Sequence, residues 1–115
     1  MLLGIVSGGV IGLFFHRPDW LGGYHSFRRR LVRLGHIAFI GLGMFNLLFA
    51  MTLLLTTVAP GAAQVASIGF VVAVVTMPLC CFLTAWRQAF RWCFPIPVSA
   101  AVLGVIGILL GWAVS

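Results

Sequence analysis

The side chains in this sequence that could do chemistry are few and clustered. Arg29, Arg33 and His36 follow one another at intervals of four and three, and lead into the apolar stretch HIAFIGLGMFNLLF. At 100° per residue the three fall within about a 60° sector of one helix, with Ile40 and Gly43 further along the same face. A neutral imidazole beneath guanidinium groups could ligate a haem or chlorophyll, with the arginines meeting its acidic groups. It could equally bond a quinone carbonyl, or serve only as a hydrogen-bonding group between helices. Arg29, Arg33 and His36 are therefore the candidate cofactor-binding residues. Asn46 lies deeper in the same stretch, where an asparagine is expected to bond across to another helix.

Other chemistry finds little support. His16 and His25 fall at boundaries, so histidines at matching depth for two-histidine haem ligation are not evident. Cys80, Cys81 and Cys93 are odd in number and show no C-x-x-C spacing, so neither a disulfide framework nor a metal site is expected. They read as small apolar filler. Asp19 is the only acid. With one carboxylate, no nucleophile motif and no phosphate-binding loop, the chain is not expected to be an enzyme acting alone.

The elements that must carry these residues are membrane spans. Of the 115 residues 63% are hydrophobic and 7% charged, against about a quarter charged in soluble domains. Mean hydropathy is +1.21. Four apolar segments stand out, at about 1–16, 34–57, 65–86 and 97–115, within a single membrane-embedded domain. A span needs about 20 residues to cross roughly 30 Å of hydrocarbon. The first is short, and needs Arg17 to snorkel or the bilayer to thin. Met1 to Phe15 lacks the basic start of a signal peptide and is expected to be a retained first helix. The second helix is expected to start near Ser26, a suitable N-cap.

All seven basic residues are arginine, in the loops 17–33 and 87–96, and the loop 58–64 has no charge. The positive-inside rule puts the arginines in the cytoplasm. The expected fold is thus an all-α integral membrane protein of four transmembrane helices, arranged as two helical hairpins with both termini on the non-cytoplasmic side. A bacterial inner membrane is the expected location.

Arg28, Arg29 and Arg30 fall in the first turn of the second helix, where the helix dipole opposes them. Something negative outside that helix must therefore explain them. Arg28, Arg30, Arg87 and Arg91, with Trp20, Trp86 and Trp92, are expected to meet anionic lipid or a partner subunit. Arg87 and Arg91 are read as four apart on a helical extension of the third span, which Pro95 and Pro97 stop, with Pro97 able to begin the next. Nucleic acid is not an expected partner. Pro78 is expected to kink the third span near Val74. Gly4, Gly8 and Gly12 form one small-residue stripe, and Gly104, Gly107 and Gly111 another, both read as helix-packing faces.

These features lead to an accessory subunit of a larger membrane complex, an electron-transport or photosynthetic assembly, in which the chain fills space, holds lipid or pigment and steadies its neighbours. The alternatives are a haem-, chlorophyll- or quinone-binding protein using His36, and a small oligomeric transporter or channel. The last would need a polar stripe, for which the spans offer chiefly Asn46, Thr52, Thr56 and Thr76. They offer no intramembrane carboxylate, which proton relays and cation-coupled carriers generally use.

Overall fold

A computed structural model describes residues 2–115. Its order is α1 (Leu2–Phe15), α2 (Phe27–Leu55), α3 (Pro60–Trp86) and α4 (Pro95–Val114), with short 3₁₀ segments at Trp20–Gly22 and Gln88–Cys93. No strand occurs among the described residues. Three segments are long and apolar enough to cross a membrane: Phe27–Leu55, Pro60–Trp86 and Gln88–Val114, the last being α4 with the turn before it. At 1.5 Å per residue, α1 with its 14 residues reaches only about 21 Å.

Local sequence explains the helix ends. Ser26 caps α2: its backbone is extended, and its hydroxyl accepts the Arg29 N–H at 3.2 Å. Proline near the start of α3 and α4 gives up an N–H that the first turn would leave unpaired anyway. α3 begins at Pro60, so most of the uncharged stretch 58–64 is helix. It continues as helix through Pro78, which is buried. The expected helical extension carrying Arg87 and Arg91 is not there. α3 stops at Trp86, Arg87 is extended (φ −136°, ψ 121°), and Arg91 lies in the separate 3₁₀ turn. The chain must reverse before α4, and α4 starts two residues earlier than Pro97, at Pro95. An unbroken helix to Arg91 would leave only residues 92–94 for that reversal.

The packed helix pairs are sequence neighbours, α1 on α2, α2 on α3 and α3 on α4. α3 lies between α2 and α4 and carries most of the buried residues, among them Ala66, Phe70, Ala73, Cys80 and Cys81. Phe49, Ala66 and Phe70 form the central cluster, with Ile108 of α4 against it. Asn46 Nδ2 donates to the Phe70 carbonyl of α3 at 3.2 Å as well as to Leu42 of its own helix. This is the expected interhelical bond, worth about 0.6–2 kcal/mol in a membrane. α2, α3 and α4 thus form one unit, and α1 rests on the outside of α2.

Close backbone approach holds α3 to α4. A Cβ at Gly69 would stand 2.6 Å from the Ala100 carbonyl oxygen and 3.1 Å from Gly104 Cα. Gly104 is covered by the Phe70 ring, Gly107 faces Ala62 and Ala66, and Gly111 faces Val58 and Ala62. Between apolar helices in lipid, dispersion contacts of this kind are the main attraction available.

Candidate functional site

The face of α2 that carries Arg29, Arg33 and His36 is the face on which α1 lies. A Cβ on Gly8 would collide with the His36 imidazole, and one on Gly4 would meet Ile40 Cγ1 at 3.1 Å. Four residues down α1 therefore match four residues up α2, the register of an antiparallel pair. Continuing it the other way brings Phe15 to Arg29, whose guanidinium carbon lies 4.2 Å from the ring centre.

Arg29 is fully buried. Its Nη2 donates to the Phe15 carbonyl and its Nη1 to the Arg17 carbonyl, the latter at 3.2 Å. Tyr24 Oη donates to the same Phe15 carbonyl at 3.2 Å. The last carbonyls of a helix have no partner within it, and the end of a helix carries about half a negative charge. Arg29 meets both needs for α1. The negative group that a cation in the first turn of α2 requires is here the C-terminus of the neighbouring helix. Aromatic faces complete the surroundings, with Tyr24 at 3.9 Å and Trp20 at 5.5 Å from the guanidinium carbon. Such contacts add about 0.5–2 kcal/mol each when water is excluded. Arg29 Nε has no hydrogen-bond partner.

The connecting loop is tied to the same point. Ser26 Oγ, besides capping α2, donates to the Leu21 carbonyl at 2.6 Å. Leu21 itself is held at φ 54°, ψ 30°, a left-handed conformation that costs a branched residue energy. Gly22 and Gly23 follow at φ 87° and 99°, where a side chain would be strained. Trp20 stacks on Phe14 with centroids 5.9 Å apart. Arg30 Nη2 donates to the His25 carbonyl at 3.0 Å.

His36 is half-buried beneath α1. Its Nδ1 lies 3.3 Å from Ser7 Oγ, and Ser7 Oγ lies 2.9 Å from the Gly4 carbonyl. The serine has one proton; with that on Gly4, the contact with His36 is a hydrogen bond only where Nδ1 carries a proton to donate. Arg33 is exposed, its guanidinium carbon 5.8 Å from the Phe15 ring centre. The three candidate cofactor residues thus share a face, as their spacing implies, and Arg29 and His36 meet α1 there. The signal for this was the four-residue spacing of Gly4 and Gly8, matched by that of His36 and Ile40.

The basic and aromatic residues expected to meet lipid or a partner lie mostly at the surface. Arg28, Arg30, Arg87 and Arg91 are exposed, as are Trp86 and Trp92, while Trp20 is half-buried. Arg91 sits 5.3 Å from the Trp92 ring centre. Between the first turn of α2 and the end of α3 lies an open cleft of about 540 Å³, with Ser26, Phe27, Arg28, Thr84, Trp86 and Gln88 in its walls. Sequence reasoning placed Arg28 and Trp86 at a lipid or partner surface but did not connect them. Thr84 was missed entirely, and no local pattern marks it. Among the described residues no group of three or more His, Cys, Asp or Glu side chains is placed to hold a metal ion. Cys80 and Cys81 are buried and Cys93 is half-buried.

Comparison with known proteins finds no matching family model, no matching curated protein and no matching solved structure.

Proposed function

We propose that this chain is a membrane-embedded accessory subunit, packed against larger membrane subunits and anionic lipid. In this reading four helices cross a bacterial inner membrane, with both termini outside and the arginine-rich loops in the cytoplasm. The observation that carries it is the division of the glycines. Gly4, Gly8, Gly35, Gly69, Gly104, Gly107 and Gly111 are in contact with a neighbouring helix of the same chain, whereas a Cβ on Gly9, Gly12 or Gly41, or on Gly61 in the first turn of α3, would meet nothing within 4 Å. Gly9 and Gly12 lie on α1 and Gly41 on α2. In a lipid-facing helix a glycine leaves a notch that acyl chains fill poorly, and a second helix fills well. The short α1 adds to this, because a 21 Å helix sits more easily beside another protein than in unthinned bilayer. An electron-transport or photosynthetic complex is the narrower form of the proposal.

The test is the native mass of the protein extracted from its own membranes in mild detergent. Migration with other polypeptides, well above 12.4 kDa plus its detergent, is the expected result. Their identity then names the assembly. Gly12→Leu is expected to weaken that association while leaving the chain's own helix content unchanged. A particle containing this chain alone sinks the subunit reading. Colour in that lone particle, lost in His36→Ala, transfers support to the cofactor-binding alternative.

A further inference from the structure

The cleft between α2 and α3 has the chemistry of an anion site. It is formed by the N-terminal turn of a 29-residue helix that has no acidic residue in its first turn. The Arg29 N–H of that turn is taken by Ser26 Oγ, but the N–H groups of Phe27 and Arg28 meet no acceptor among the described residues. Unpaired amides and the positive end of the dipole together favour a negative oxygen ligand. Arg28 brings an exposed guanidinium to the same wall, and Gln88 an exposed amide.

A second observation is independent of the helix end. Thr84, on α3, lines the cleft and is 2% exposed, and its Oγ1 has no hydrogen-bond partner. A hydroxyl inside a helix usually returns its proton to a carbonyl one turn back. Thr52, Thr56 and Thr76 all do so in this molecule, at 2.6–2.9 Å. Thr84 is the exception among these threonines, and leaving a buried hydroxyl unpaired costs about 1–3 kcal/mol.

We propose that this cleft binds a phosphate group, held by the Phe27 and Arg28 amides, the Arg28 guanidinium and the Thr84 hydroxyl. The guanidinium supplies paired N–H donors to a phosphate edge, and the threonine donates from below. The source is an anionic phospholipid headgroup or free phosphate. The lipid source rests on the placement, proposed above, of the arginine-rich end at headgroup level. Exposed Trp86 at the rim has the amphipathic character of a residue at that depth.

The full-length protein in neutral detergent is equilibrated with phosphatidylglycerol, with a diacylglycerol of the same chains, or with inorganic phosphate. Bound species are counted by native mass spectrometry, and circular dichroism confirms that each variant keeps its helices. Phosphatidylglycerol is expected to bind and the phosphate-free lipid is not. Arg28→Gln is expected to weaken binding about tenfold, the scale of one charge-assisted hydrogen bond. Thr84→Val is expected to weaken it about threefold, and Thr84→Ser to restore it. Arg91→Gln, whose charge lies outside the cleft, is expected to have no effect. Binding of inorganic phosphate without the lipid keeps the site and rejects headgroup placement. Absence of both ligands overturns the site, as does equal loss in Arg28→Gln and Arg91→Gln, or unchanged binding in Thr84→Val.

Discussion

The seam between α1 and α2 and the seam between α3 and α4 solve one problem by different means. Both join apolar helices, which in a lipid environment would gain little from leaving lipid for one another. α3 and α4 meet along small residues, with the Gly69 and Gly104 backbones almost touching. α1 and α2 meet through polar groups at two levels. Arg29 clasps the end of α1, and His36 reaches Ser7 from beneath Gly8. Length explains the difference. α4 has 20 residues and can add dispersion contacts over several turns, whereas α1 has 14 and ends while still needing partners for its last carbonyls. A short helix is therefore held by fewer and stronger bonds. Those bonds sit where the helix itself supplies a negative pole.

This contrast can be broken at either seam. The largest effect is expected at the close-packed one. Gly69→Leu must displace the Ala100 carbonyl or separate the helices, and should cost about 3 kcal/mol or more. Reversible unfolding in detergent would read this as loss of the α3–α4 contact. A cost under about 1 kcal/mol would mean that this seam is not set by backbone approach. Next comes Arg29→Ala, which removes two hydrogen bonds to carbonyls and three ring contacts, for about 2–3 kcal/mol. Its loss should be local. Hydrogen exchange should rise in residues 2–15 while α3 and α4 stay protected. Equal loss of protection in α3 would contradict the peripheral place of α1.

Smaller effects sharpen the α1 seam. Gly8→Ala collides with the imidazole and should cost about 1–2 kcal/mol, and adding His36→Ala should recover most of it. If the double variant is no better than the single one, His36 is not what Gly8 accommodates. Ser7→Ala leaves Nδ1 of His36 without its partner and should cost about 0.5–1 kcal/mol. The smallest effect is expected from Gly12→Ala in the isolated chain, within about 0.5 kcal/mol, since nothing faces that position. A large effect there, with the protein alone, would place a neighbour on Gly12 within the chain.

Much of the architecture was legible because it is written in short-range patterns. Apolar length marks the long helices, Ser26 marks the start of α2, and Gly104 and Gly111 mark a packing face. Where patterns end at a turn, the reading failed. Arg87 and Arg91 are spaced like neighbours on a helix, yet the chain leaves the helix at Trp86 in order to reverse. Gly12 continues the periodicity of Gly4 and Gly8, and within this chain a Cβ there would meet nothing within 4 Å. Periodicity gives the direction in which a residue points, and not whether anything lies there.

By itself the sequence determined that the described chain is helical, that three of its segments are long and apolar enough for a membrane, and that Arg29, Arg33 and His36 share a face. Those are properties of composition and of a fixed 100° step. Tertiary structure decided what that face meets. It set α1 on Arg29 and His36, made α3 the central helix, and left Thr84 without a partner beside the first turn of α2. Each of these depends on the register between helices far apart in sequence. Register follows from the fit of whole surfaces, here glycine against imidazole and carbonyl against guanidinium, which no single helix carries alone.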